Sequence, residues 1–270
     1  METFDFIEGR VPLLVSMPHP GTYVPPEIAR RLTPEALTLP DTDWHLPRLY
    51  DFAGELGASL LIATHSRYVI DLNRAPDGMP LYRGASNTEL CPTTLFSDRP
   101  IYLTGEEPDE AEIETRREEL WSPYHRQLSA ALDRMRELHG VALLFDAHSI
   151  RSEVPRFFQG RLPDLNLGSG GGTSASSELA QRLLAICAAQ SGYTAVLNGR
   201  FTGGYITRHY GQPQKGIHAI QLELSQRTYM HEDARYAFDE TGATFVRPFL
   251  RKLLEAMLEY LGYPAGPAIV

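Results

Sequence analysis

Apolar residues come in short runs at 12–17 (PLLVSM), 59–64 (SLLIAT), 67–72 (RYVIDL), 141–146 (VALLFD), 193–198 (YTAVLN) and 217–224 (IHAIQLEL). Several are almost uninterrupted, the pattern of strands covered on both faces. Between them the apolar spacing changes to the helical period. One helix is predicted from Leu46, Leu49, Tyr50 and Ala53 with a stop at Gly57, and a second from about 110 to 139, with Pro123 kinking or splitting it and Gly140 ending it. A third follows the Gly/Ser stretch at 168–177 and ends near Gly192. A last one carries Leu250, Leu253, Leu254, Met257, Leu258 and Leu261 before Gly262. Strands separated by crossover helices predict an α/β fold: a mostly parallel, twisted sheet with helices on both faces. No internal repeat or hinge-like linker divides the chain, so residues 1–270 read as a single domain.

Composition narrows this picture. The 270 residues and 30.2 kDa suit a domain that buries about three quarters of its unfolded surface, with no need for metal or disulfide staples. The net charge of −9 argues against nucleic acid or an anionic membrane as the main partner, while leaving room for a local basic pocket that takes a small anion. Cys91 and Cys187 cannot form a disulfide framework and suggest a reducing compartment. The acidic N-terminus is unlike a signal peptide and no apolar run approaches a membrane span, so a cytoplasmic location is expected. Nothing in the pattern sets an oligomeric state. The GSGGGTSASS stretch lacks the spacing of a phosphate-binding loop and reads as a flexible surface loop.

In open α/β sheets ligands bind beyond the carboxyl ends of the strands, and four polar groups sit there. His19 follows the first run in a proline-flanked turn, suited to a metal ligand or to a turn hydrogen bond. Asp146 and His148 lie two apart at the end of the central run, as a ligand with its supporting carboxylate or as a pair closing the turn. Asp41 and Asp43 open the helix at Leu46, as caps or as a metal carboxylate. Glu223 lies inside an apolar strand, where burial would raise its pKa toward that of a general base unless an arginine pairs with it. Arg67, Asp71, Asn73 and Arg74, and later Tyr205, Arg208, His209 and Tyr210, add anion-binding groups. Two His, an Asp, a buried Glu and several Arg are the inventory of a metal-assisted hydrolase for an acidic substrate.

SMPHPG, DTDWHLPRLYDFAGELGA, SRYVIDLNR, WSPYHRQL, DAHSI, LPDLNLG, TGGYITRHYG and AIQLELSQRTYM, in this order from about residue 10 to 231, resemble the N-formylglutamate amidohydrolase family. The resemblance implies a fold similar to the zinc carboxypeptidases (phosphorylase/hydrolase-like) and metal-dependent hydrolysis of N-formyl-L-glutamate to L-glutamate and formate, in histidine degradation. It implies one zinc ion per chain, with other divalent ions suiting the same donors. The ligands carried over are His19, Asp43 (preferred to Asp41) and His148, with Asp146 behind His148 and Glu223 as general base. Here the chain departs from the carboxypeptidases, since PGT rather than x-x-Glu follows His19. Arg67, Asn73, Arg74 and Arg208 are the groups expected to hold a small substrate with two carboxylates. Two other readings use the same residues: a zinc deacylase for another N-acyl acidic amino acid, and a non-catalytic protein that binds an acidic metabolite.

Overall fold

The computed structural model describes residues 1–79, 87–233 and 235–264. The most apolar runs form the middle of one seven-stranded sheet: β2 (Leu13–Met17), β3 (Ser59–Ala63), β4 (Ala142–Ile150) and β7 (Ile217–Ser225), after β1 (Phe4–Ile7) and with β5 (Leu165–Gly168) and β6 (Ala195–Leu197) beyond them. The strand order is β1-β3-β2-β4-β7-β5-β6. The four central strands are parallel, while β1 joins β3 and β5 joins β7 antiparallel. Strands β1 and β5 are absent from the apolar pattern for local reasons. The first alternates half-buried and exposed residues at an edge, and the second interrupts its leucines with Asn166 and Gly168.

The helices are α1 (Pro26–Ala29), α2 (Leu46–Leu49), α3 (Glu110–Arg116), α4 (Ser122–His139), α5 (Ser177–Ala188), α6 (Tyr205–Tyr210) and α7 (Glu240–Tyr260). They cover both faces, as expected. Leu13, Val15, Phe145 and Leu222 pack with α2, α5 and α7 on one side, and Leu14, Leu61, Leu144 and Ala219 with α4 and α6 on the other. Ser176 caps α5 by accepting from Leu179 N, and Asp239 caps α7 by accepting from Thr241 N. The long predicted helix is divided where Pro123 suggested, by a π-turn at Arg117–Trp121. Pro123 then falls in the first turn of α4, where a missing N–H costs nothing.

Three expectations need correction. The apolar run at 67–72 is not a strand. Ser66 Oγ accepts from Tyr68 N and Asp71 Oδ1 from Asn73 N, so side chains turn the backbone out of extended geometry. Its apolar residues are still buried, but Tyr68 and Val69 go to one cluster and Ile70 and Leu72 to another. The predicted helix from Leu46 to Gly57 breaks after one turn into a 3-10 turn at Asp51–Gly54. The Gly/Ser stretch begins in β5 and is tied down: Ser169 and Ser174 are buried, and Ser174 Oγ donates to Ala219 O. No helix of the described residues is long and apolar enough to cross a membrane. Cys91 and Cys187 are buried, with their thiols pushed up by that burial to about 11 and about 12, as small core hydrophobes would be.

Candidate metal centre

The parallel strands β4 and β7 pair His148 directly with Glu223, so both side chains leave the sheet on the same face near its carboxyl end. Two residues past β2, the turn carrying His19 is fastened to the DTDW segment, because Asp43 N donates to His19 O at 3.1 Å. These two connections bring together residues 19, 43 and 148. Nδ1 of His148 lies 3.1 Å and Nδ1 of His19 3.7 Å from Asp43 Oδ2, and the three potential ligand atoms fall within 4.8 Å of one another. All three residues are buried.

The remaining ring nitrogens support a metal-binding role. His19 Nε2 lies 2.7 Å from Asp71 Oδ1 and His148 Nε2 3.2 Å from Asp146 Oδ2. A carboxylate behind each imidazole is placed to hold a proton on Nε2 when a cation displaces the one on Nδ1. Two imidazoles and one carboxylate converging with an open side fit a catalytic divalent site. Asp71 is in turn gripped by Arg67, whose guanidinium donates to Oδ2 at 2.7 Å and lies 3.6 Å from Asp43 Oδ1. Asn73 Oδ1 accepts from Ile206 N, and its amide lies 2.9 Å from His148 Nε2.

Charge is distributed unevenly. Burial works to raise Asp43, but hydrogen bonds from His148 and His19 overcome it and hold its carboxyl well below the usual range. Asp71 is likewise held low against burial by Arg74, His19 and Arg67. Burial disfavours the His148 imidazolium, yet Asp146 and Asp43 outweigh it and push His148 well above its ordinary value. For Glu223 burial prevails, pushing it up to about 8 against the lowering pull of His148 and Arg67. Asp41 is turned away from the centre. Its Oδ2 accepts from Tyr68 OH at 2.8 Å and from Phe96 N at 2.9 Å, work that orders the surrounding chain.

A cavity opens over these groups, with Arg67, Asn73, Arg74 and Glu223 in its lining. Arg208 is not in that lining; it is exposed on α6 and donates to Thr202 Oγ1. Three lining groups were not singled out as site residues from sequence: Gln221, whose Oε1 accepts from Gly204 N, Arg200, and the ring wall of Phe96, Phe157 and Phe201. Nor was Asp71 assigned its place behind His19. Gln221 was legible, two residues before Glu223 on the same strand face. Arg200 was not, because it lies on the segment returning from β6, which runs opposite to β7, where a strand-end rule looks to the wrong edge.

A sequence profile of the N-formylglutamate amidohydrolase family matches residues 11–230. An N-formylglutamate deformylase of Pseudomonas aeruginosa is 55% identical over 259 residues, covering 96% of this chain and 97% of the relative. One from Pseudomonas putida is 51% identical over the same coverage. The crystal structure of an N-formylglutamate amidohydrolase from Ralstonia eutropha has the same fold, with a TM-score of 0.83 at 22% identity, covering 97% of this chain and 99% of that one.

Proposed function

The chain belongs to the N-formylglutamate amidohydrolase family, and from that premise we propose that it hydrolyses N-formyl-L-glutamate to formate and L-glutamate at the His19–Asp43–His148 centre with zinc bound there. The observation that carries the reading is the pairing of a convergent two-His, one-Asp donor set with a buried carboxylate on the adjoining strand. A divalent cation held by these donors supplies Lewis acidity toward the formyl oxygen and toward water. Zinc suits two imidazoles and a carboxylate with an open side.

The chain's own residues do the rest. Glu223 accepts a proton from the water whose oxygen bonds to the formyl carbon. It then passes that proton to the amide nitrogen as the C–N bond breaks, releasing formate and the amine of glutamate. Its pKa of about 8 in the metal-free protein would otherwise keep it neutral, and a cation beside it favours the ionised form a base needs. Asp71 and Asp146 keep both imidazoles aimed. Arg67 and Arg74, with Asn73 between them, form the cationic wall that meets the α-carboxylate beside the scissile amide.

The test is formate release from N-formyl-L-glutamate by zinc-loaded protein, with N-acetyl-L-glutamate and N-acetyl-L-aspartate in parallel. Release from the formyl compound, lost on chelation and restored by zinc, is expected. Turnover undiminished by exhaustive chelation would remove the metal from the proposal, and turnover of the acetyl compounds alone would remove the substrate.

A further inference from the structure

We propose that Arg200 is the residue that selects for the distal carboxylate of the substrate, an inference that rests on the N-formylglutamate reading above. That substrate carries two carboxylates at different depths from the scissile amide. The α-carboxylate is attached to the carbon that bears the amide nitrogen, and the γ-carboxylate lies two methylenes further out. A complementary cavity presents cations at two depths with apolar wall between them.

The lining has this order. Arg67 and Arg74 lie at the metal end, bound into the Asp71 cluster: Arg67 donates to Asp71 at 2.7 Å, and Arg74 lies 3.8 Å from the same carboxylate while donating to Thr88. Arg67 faces the ring of Phe96 at 4.8 Å. Phe96 packs against Phe157 with ring centroids 4.9 Å apart. Beyond Phe157 comes Arg200, whose Nε donates to Phe157 O at 2.6 Å and whose Cζ lies 5.8 Å from the Phe157 ring and 5.2 Å from that of Phe201. The two rings supply the apolar wall that the ethylene segment of glutamate would lie against. The planar guanidinium beyond them is already oriented by a backbone carbonyl and aromatic faces, so it loses little freedom when it meets a carboxylate.

The experiment compares wild type with Arg200→Gln and Arg200→Lys, reading kcat and KM for N-formyl-L-glutamate and N-formyl-L-glutamine. Calorimetric binding of L-glutamate and L-glutamine, which needs no turnover, is measured alongside. Arg200→Gln is expected to raise KM for N-formylglutamate about ten- to a hundredfold with kcat nearly unchanged and N-formylglutamine little affected, a charge-assisted contact being lost. Lys is expected to restore part of the preference. Should the Gln variant not fold, the Lys variant is read by the same ratio. Equal losses on both substrates, or intact discrimination, overturn the proposal. If wild type hydrolyses neither substrate but binds glutamate over glutamine and Arg200→Gln abolishes that preference, the Arg200 assignment stands while the reaction falls. A wild type that binds the two amino acids equally well overturns the assignment itself.

Discussion

His148 and Glu223 enter the cavity from paired positions on two parallel strands, whereas Arg67, Asn73 and Arg74 enter it, with Asp71 behind them, from a segment without regular secondary structure. Both regions are buried to a similar degree. The strand pair is held by backbone hydrogen bonds, so its side chains point where the pleat sends them whatever they are. The 66–74 segment is held by a few turn and bridging backbone hydrogen bonds together with its own side chains, and the same side chains also support the candidate metal donors. Asp71 accepts from its neighbour's backbone, from Arg67 and from His19 at once. A residue on a strand can therefore be exchanged for its chemistry alone, while one in the segment cannot be changed without also moving a donor.

The largest effect that would sharpen this contrast comes from the strand side. Glu223→Gln keeps shape and pleat, and is expected to lower kcat by about 10²–10⁴ while zinc content, measured on the purified protein, stays at the wild-type level. Loss of zinc with loss of activity would break the contrast, since a strand residue would then be holding the site together.

Asp71→Asn is the counterpart in the irregular segment. It removes the carboxylate behind His19, and a weakening of zinc affinity by about 10–100-fold is expected in competition with a chromophoric chelator. Unchanged affinity would mean that the Asp71–His19 bond is only structural.

Asp41→Ala separates the two aspartates of DTDW. Asp41 accepts from Tyr68 and Phe96 rather than facing the centre, so its loss is expected to cost about 1–3 kcal/mol in denaturant unfolding with zinc affinity retained. A metal-free Asp41→Ala protein would reverse the assignment in favour of Asp41.

The smallest expected change depends on pH. Glu223 ordinarily ionises near 4.5 and in the metal-free fold near 8, so between these values the folded state holds a proton that the unfolded state has released. Stability from this group therefore falls as pH rises from about 4.5 to 8. Chelator-treated Glu223→Gln should melt close to wild type at pH 5 and a few degrees above it at pH 8.5. Zinc is expected to erase the difference by favouring the ionised form.

How much of this was legible follows from how each residue is held. The ends of β2, β4 and β7 were readable because near-continuous apolar runs leave few polar residues, and those few, His19, Asp146, His148 and Glu223, stand out at predictable places. The choice of Asp43 over Asp41 rested on resemblance, and in the structure it turns on which carboxylate the Tyr68 O–H and the Phe96 N–H engage, a long-range fact. The 67–72 run misled because burial marks a residue as apolar without saying whether its backbone lies in the sheet.

The sequence by itself determined the alternation of apolar strands and amphipathic helices, the α/β class, the family and which residues stand as candidate donors, because each of these is written in residue type and short-range spacing. Tertiary structure alone decided that Asp71 stands behind His19, that β5 and β6 run against the central strands, and that Arg200 faces the cavity while Arg208 does not. These depend on contacts between segments far apart in the chain, and such contacts leave no periodic trace in either partner.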